Sequence, residues 1–166
     1  MKGHRTRIAM VLALVGLAAC EEPADLTLPT VDQAEAYYTY DRDFTAEING
    51  NVVTLTFSQS ADQLRRGGSL WAKVGPYIFL FTEETYQMIQ DYPGIAGVRV
   101  VTKAGNAEVA NVLLARETLS DVLWRRSLNI AGQARRDGSE RMTLLTDLVR
   151  WGERHTEYEY SPRYVR

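Results

Sequence analysis

One cysteine in 166 residues, Cys20, leaves this chain without an intrachain disulfide and without a zinc site built from several thiolates. Histidine is nearly as scarce. His4 and His155 are the two present, and only His155 lies beyond the first twenty residues, so a two-histidine metal site in the body of the chain is excluded. The uncharged apolar run over residues 8–19 is twelve residues long, whereas a bilayer-spanning helix needs about 20. There is no G-x-S-x-G elbow, no Walker A loop, no G-x-G-x-x-G and no H-E-x-x-H, which removes the common sequence marks of several hydrolase and nucleotide-binding classes. No internal repeat or low-complexity tract stands out.

What is present begins with an ordered N-terminal signal. Lys2, Arg5 and Arg7 precede the apolar run, which closes on Leu17-Ala18-Ala19-Cys20. A positive segment, a short apolar segment and small residues before a cut site form a secretory signal. The tetrapeptide resembles the lipobox of bacterial lipoproteins, in which an aliphatic residue and two small residues precede a cysteine that receives a diacylglyceryl thioether. The resemblance covers the first twenty residues. It implies lipidation at Cys20, a mature chain starting there, and a membrane partner reached through the anchor. More than one acyl chain makes such an anchor stable. Glu21 and Glu22 follow the cysteine. In two-membrane bacteria, lipoproteins without Asp at that place generally go to the outer membrane, so the resemblance implies the periplasmic face of the outer membrane.

Three of the 19 basic residues and none of the 21 acidic ones precede Cys20, so residues 20–166 carry a net charge of −5 (16 basic against 21 acidic). That balance argues against nucleic acid as a partner, because phosphate backbones are bound by clustered positive charge. Residues 20–33 hold two prolines and four acids and read as a flexible tether. Residues 34–166 are long enough for one domain that buries its own core.

Along that domain, two strand-like runs, residues 37–48 and 51–58, flank Asn49-Gly50, the preferred pair for a type I′ hairpin. Pairing Ile48 with Asn51 sets Ala46 opposite Val53 and Phe44 opposite Leu55 on one face, with Phe57 beyond. Ser60 and Gln63 form a capping box for a helix that Gly67-Gly68 keeps short. Residues 70–74 and 77–81 read as strands around Gly75-Pro76. Thr82 caps a helix to about Asp91, with Tyr86, Met88 and Ile89 inward, and Pro93-Gly94 stops it. Residues 98–103 and 108–115 read as strands joined through Gly105-Asn106. Two helices follow. The first runs from cap Thr118 to Gly138, with Leu119, Val122, Leu123, Ile130 and Ala134 as its stripe. The second runs from cap Ser139 to Gly152, with Met142, Leu145, Leu148 and Val149 inward. The short loop between them predicts an antiparallel pair. Residues 155–160 alternate and read as a last strand. Grouped hairpins followed by grouped helices predict an α+β fold, with a mainly antiparallel sheet of hairpins and a C-terminal antiparallel helix pair.

Four constellations could carry chemistry. On a strand, His155, Glu157 and Glu159 share one side and offer an imidazole and two carboxylates to a divalent metal. The plainer reading is a polar outer face with Thr156, Tyr158 and Tyr160 inward. Asp41-Arg42-Asp43 offers two carboxylates, but Arg42 competes with any cation. Arg65-Arg66, Arg125-Arg126 and Arg135-Arg136 can hold lipid headgroups or an acidic glycan, or can simply be solvated, and Asp121 sits four residues before Arg125, the favourable order for a helix pair. Tyr37, Tyr38, Tyr40, Tyr158, Tyr160 and Tyr164 lie at the two ends of the domain and would form one aromatic patch if those ends meet. The expectation is a non-enzymatic envelope lipoprotein that binds or scaffolds another envelope protein, with no cofactor and no metal. The alternatives are a small-ligand or lipid-binding lipoprotein and a metal-assisted hydrolase at His155.

Overall fold

The computed structural model describes residues 25–39 and 44–165. The signal, Cys20, Tyr40 and Asp41-Arg42-Asp43 lie outside the described residues. The elements in chain order are α1 (Val31–Ala36), β1 (Phe44–Asn49), β2 (Val52–Ser58), α2 (Ala61–Leu80), α3 (Glu83–Asp91), β3 (Gly97–Ala104), β4 (Ala107–Ala115), a 3₁₀ turn (Arg116–Thr118), α4 (Asp121–Asp137), α5 (Met142–His155) and β5 (Glu157–Tyr160). The fold is α+β, as the order of elements predicts. Helix α1 starts inside the stretch read as tether. Thr30 and Gln33 cap it reciprocally, and the carbonyl of Thr27 accepts a 3.0 Å bond from the Gly94 amide.

The five strands form one sheet in the order β1-β2-β3-β4-β5. Two hairpins, β1-β2 and β3-β4, are joined by a parallel β2-β3 pairing, and β5 adds antiparallel to β4. The parallel step arises because two helices, α2 and α3, carry the chain back to the end from which β2 started.

In the first hairpin Asn49 pairs with Val52, Ala46 with Leu55 and Phe44 with Phe57. The expected register is therefore displaced. The two turn residues are Gly50 and Asn51, not Asn49 and Gly50. Gly50 has φ +63° and no non-glycine residue has positive φ among the described residues, so only the first central position is left-handed, the type II′ pattern. Because the two registers differ by an even step, the predicted face survives: Ala46, Val53, Leu55 and Phe57 are buried together. The second hairpin repeats the device with Gly105 (φ +59°) before Asn106. Gly50→Val is expected to cost about 1–2 kcal/mol in a denaturant melt, since a β-branched residue resists positive φ. The strain is purely backbone, because a Cβ there meets nothing within 4 Å. An unchanged midpoint would contradict the left-handed turn.

The segment read as two strands, residues 70–81, is helical. Helix α2 runs through Gly75 and Pro76 and breaks at Gly68, where φ 59° and ψ −152° leave the helical region. The glycine pair thus does end a short first helix, and a second begins at once. Ala72, Val74, Gly75, Pro76, Tyr77 and Leu80 are all buried. So dense a buried run shows little amphipathic alternation, and packing on the sheet overrides the strand propensity of its aromatic and branched residues.

Helix α3 begins at cap Thr82 as expected, with Thr85, Met88 and Ile89 buried; Tyr86 is only partly buried. Helix α4 begins at Ser120, not Thr118, and buries Trp124, Ser127, Ala131 and Ala134. Four of the five expected stripe residues face inward: Leu119 and Ala134 are buried and Leu123 and Ile130 pack against the core, while Val122 is 64% exposed. Ser127 is an inward position that a stripe of apolar residues does not reveal, for it is buried and polar. Its hydroxyl donates to Leu123 O at 2.9 Å and accepts from Trp151 Nε1 at 2.8 Å. Helix α5 begins at Arg141, not Ser139, and buries Leu145, Leu148, Val149, Trp151 and Gly152, while Met142 is 44% exposed.

The core lies between these helices and one face of the sheet. Val53, Leu55, Phe57, Val98, Val100, Val112 and Leu114 meet Val74, Tyr77, Leu80, Trp124, Leu145 and Leu148 in one cluster. A bulge in β4 displaces the register between Thr102 and Lys103. Val109 joins a smaller cluster there with Leu64 and Ala72, against which Trp71, Ala104 and Tyr164 pack.

Candidate functional site: the uncovered sheet face

Side chains alternate across a strand, so the residues between the core positions line the opposite face. The pairing places them in rungs. One runs Thr45, Thr56, Val101, Asn111, Glu159; the next runs Glu47, Thr54, Arg99, Leu113, Glu157. None of these ten residues belongs to either apolar cluster. The centre is small or apolar, with Val101 only 7% exposed, and Thr54, Thr56, Asn111 and Leu113 are half-buried. The rim is charged, with Glu47 at one edge and Glu157 and Glu159 at the other. Arg99 stands inside it, where its Nη1 donates to Asn111 Oδ1 at 2.7 Å. Arg99, Asn111, Glu157, Tyr158 and Glu159 line a shallow polar recess of about 180 Å³.

The His155 constellation comes apart. His155 is the last residue of α5, not a strand residue. Its Nδ1 lies 2.8 Å from Trp151 O and its ring 4.1 Å from the Trp151 ring. Glu157 and Glu159 do share a face, that of the uncovered sheet. Among the described residues no group of three His, Cys, Asp or Glu is arranged to hold a metal. Tyr158 and Tyr160 take the opposite side, as the plainer reading has it: Tyr160 packs on the core cluster, although Tyr158 remains 48% exposed.

The aromatic ends do not meet. Tyr38 is buried beside Phe44 and Phe57, its hydroxyl 2.7 Å from Thr85 Oγ1. Tyr37 donates to Asp91 Oδ2 at 2.6 Å. Both belong with α1 and β1, at the sheet edge opposite β5. The arginine pairs are scattered too. Arg65 pairs with Asp62. Arg135 donates to Ile78 O at 2.7 Å, satisfying the end of α2. Asp121 does not pair with Arg125; it accepts a long bond from Tyr86, 3.4 Å.

Sequence reading missed a polar cluster where α2, α5 and β5 meet. The Tyr77 and Tyr160 hydroxyls lie 2.9 Å apart, Lys73 Nζ is 3.2 Å from Glu153 Oε1, and the same ammonium sits 5.0 Å from the Tyr160 ring centre. The error in α2 hid it, since a strand over residues 70–74 puts Lys73 and Tyr77 on separate elements. Burial pushes the Tyr77 hydroxyl up to about 12. Burial, and then the bond to Tyr77, raise Tyr160 further. Both groups are therefore favoured neutral in the native state. The stability they confer is whole below about pH 10, the ordinary tyrosine range, and is lost as pH rises through about 12. In a tyrosinate absorbance titration of the native protein, these two of the nine tyrosines, and Tyr37, which burial and its bond to Asp91 also raise, should stay protonated at about pH 11. Nine tyrosines ionising together near pH 10 would refute their burial.

An apolar recess of about 450 Å³ lies where α2, α3 and α4 meet, lined by Ile78, Phe79, Thr82, Glu83, Glu84 and Arg135. No strand residue lines it, so it is not a pocket between sheet and helices.

Compared with protein-family models, with curated proteins and with solved structures, the chain has no match.

Proposed function

We propose that this chain is a lipoprotein of the cell envelope, anchored through Cys20, whose α+β domain is a non-enzymatic binding or scaffolding module for another envelope protein. The observation that carries the binding role is the sheet face on which no helix of the described residues packs. Its pattern, with Val101, Leu113 and the Arg99–Asn111 pair central and Glu47, Glu157 and Glu159 at the rim, fits protein interfaces, whose centres combine apolar residues with arginine inside a polar rim. A face whose recess at Arg99 and Asn111 holds only about 180 Å³ suits a protein better than a small molecule, which needs a pocket that encloses most of its surface. The anchor rests on the sequence of positive segment, apolar run and lipobox before Cys20, and the outer membrane on the residues after it. A second reading, a small-ligand or lipid binder, draws on the recess at Ile78 and Phe79.

Two experiments test the proposal. Cys20→Ser should abolish lipid labelling and leave unprocessed precursor, and globomycin should make precursor accumulate. Normal processing of the variant would refute the anchor. For the binding role, a photocrosslinker at Thr54 or Leu113 should capture a defined protein in intact cells. Thr56→Arg should reduce that product at least tenfold, and a probe at Thr146 on α5 should not form it. Capture that ignores the sheet face would refute it.

A further inference from the structure

The outer side of the helix layer carries a groove between α4 and α5 that the proposed docking face does not use. It has a volume of about 420 Å³ and is lined by Arg126, Asn129, Ile130, Asp147, Arg150, Trp151 and Arg154. Three guanidiniums share it with one carboxylate, in a chain whose overall charge is negative. Arg126 sits over Trp151, its Cζ 4.6 Å from the ring centre. Arg150 is 3.2 Å from Asp147. Arg154 spends its Nε on Arg150 O at 3.2 Å, which leaves its terminal nitrogens for a ligand. Convergent guanidiniums with planar donor forks are the side chains best suited to phosphate oxygens.

Arg154 brings one end of the groove toward the end of the domain where the N-terminal segment docks. Thr27 is held to Gly94. Two residues before Gly94, Tyr92 O accepts from Arg116 Nη1 at 3.1 Å, as does Ile89 O at 2.7 Å, and Ala115, the neighbour of Arg116, lines a second recess with Thr118 and Arg154. Cys20 stands seven positions before Thr27 in the sequence, and seven residues reach at most about 25 Å. We infer that this groove binds the phosphates of anionic lipid headgroups and so sets how the domain stands on its membrane. The inference rests on the lipid anchor at Cys20.

The test uses the full lipidated protein with Val122→Cys. Val122 is exposed near the start of α4, and with Cys20 acylated the new thiol is the free one. A donor dye there reports energy transfer to labelled headgroups, in vesicles of phosphatidylcholine alone or with about a third phosphatidylglycerol. Transfer should rise in the anionic vesicles and fall with added salt. Arg126→Gln and Arg154→Gln should each lower the docked-to-lifted ratio about fivefold. Asp147→Asn should raise it, which guards against variants that merely fail to fold. Transfer that ignores lipid composition, or that responds to composition equally in the arginine variants, overturns the inference. If transfer ignores composition while inorganic phosphate broadens its ³¹P signal on the protein in detergent, the groove belongs to a soluble phosphate ligand instead, and the inference is again overturned. Mass spectrometry of the same sample separates the two proposals. An unlipidated product removes the anchor and this inference together, whereas a lipidated protein indifferent to composition removes only the inference.

Discussion

Phe57→Ala is expected to destabilise the domain by about 3–5 kcal/mol, the range for deleting a fully buried aromatic ring. Phe57 is 0% exposed. Its ring stacks on Phe79 at 4.0 Å and on Phe44 at 5.3 Å, and meets Tyr38 edge-on at 6.1 Å. These neighbours come from α2, β1 and the segment after α1, so one ring ties three parts of the chain to β2. The cavity left by alanine would be walled by aromatic side chains that cannot collapse into it without rotating off their rotamers. Chemical denaturation should show a lower midpoint with an unchanged slope. A loss below about 1 kcal/mol would mean that α2 does not lie on this face of the sheet, and the strand reading of residues 70–81 would have to be revived.

Gly152→Val should cost about 3 kcal/mol. A Cβ at Gly152 collides with the Tyr77 ring. Neither side can yield easily. Tyr77 is fully buried and hydrogen-bonded to Tyr160, and α5 is held by the buried Leu148, Val149 and Trp151 just before Gly152 and by the Glu153–Lys73 pair just after it. Overpacking a tight core costs about 1–3 kcal/mol, and the branched side chain adds rotamer restriction within the helix. Gly152→Ala makes the sharper comparison. In an open helix that change gains about 1 kcal/mol, yet here it should be destabilising. Gly132 is the control: it lies in α4, and a Cβ added there meets nothing within 4 Å, so Gly132→Ala should stabilise by about 0.4–1 kcal/mol. Gains at both glycines in thermal melts would show that α2 and α5 do not pack this closely.

Much of the candidate surface was legible one strand at a time. Alternation in β2, β3 and β4 separates Thr54, Thr56, Arg99, Val101, Asn111 and Leu113 from the core residues beside them. What alternation could not show is that all of them lie on a face without helices. That depends on α2 crossing the same side as α4 and α5, and residues 70–81 read locally as strands. Likewise His155, Glu157 and Glu159 alternate correctly only if the strand begins two residues early. The helix continues to His155 because Trp151 and Gly152 are buried against α2 and the core, an interaction outside the reach of a local pattern.

Elements with local signals could be read directly from the order of residues. These are the capped start of α3 at Thr82, the break at Gly68, the two hairpins, and the α+β order of strands before paired helices. The inward face of the first hairpin belongs with them, because parity along a strand survives a register displacement by an even number of residues. Long-range packing was needed to set the turn residues Gly50 and Asn51, the helical state of residues 70–81, the burial of Ser127 in α4 and the parallel joining of the hairpins. For the last three a distant partner outweighs the local preference: the sheet under α2, Trp151 on Ser127, and two helices of return path between β2 and β3. Propensities differ by up to about 1 kcal/mol per residue, whereas burying one large side chain contributes about 1.5–3 kcal/mol. Where the two conflict, packing prevails.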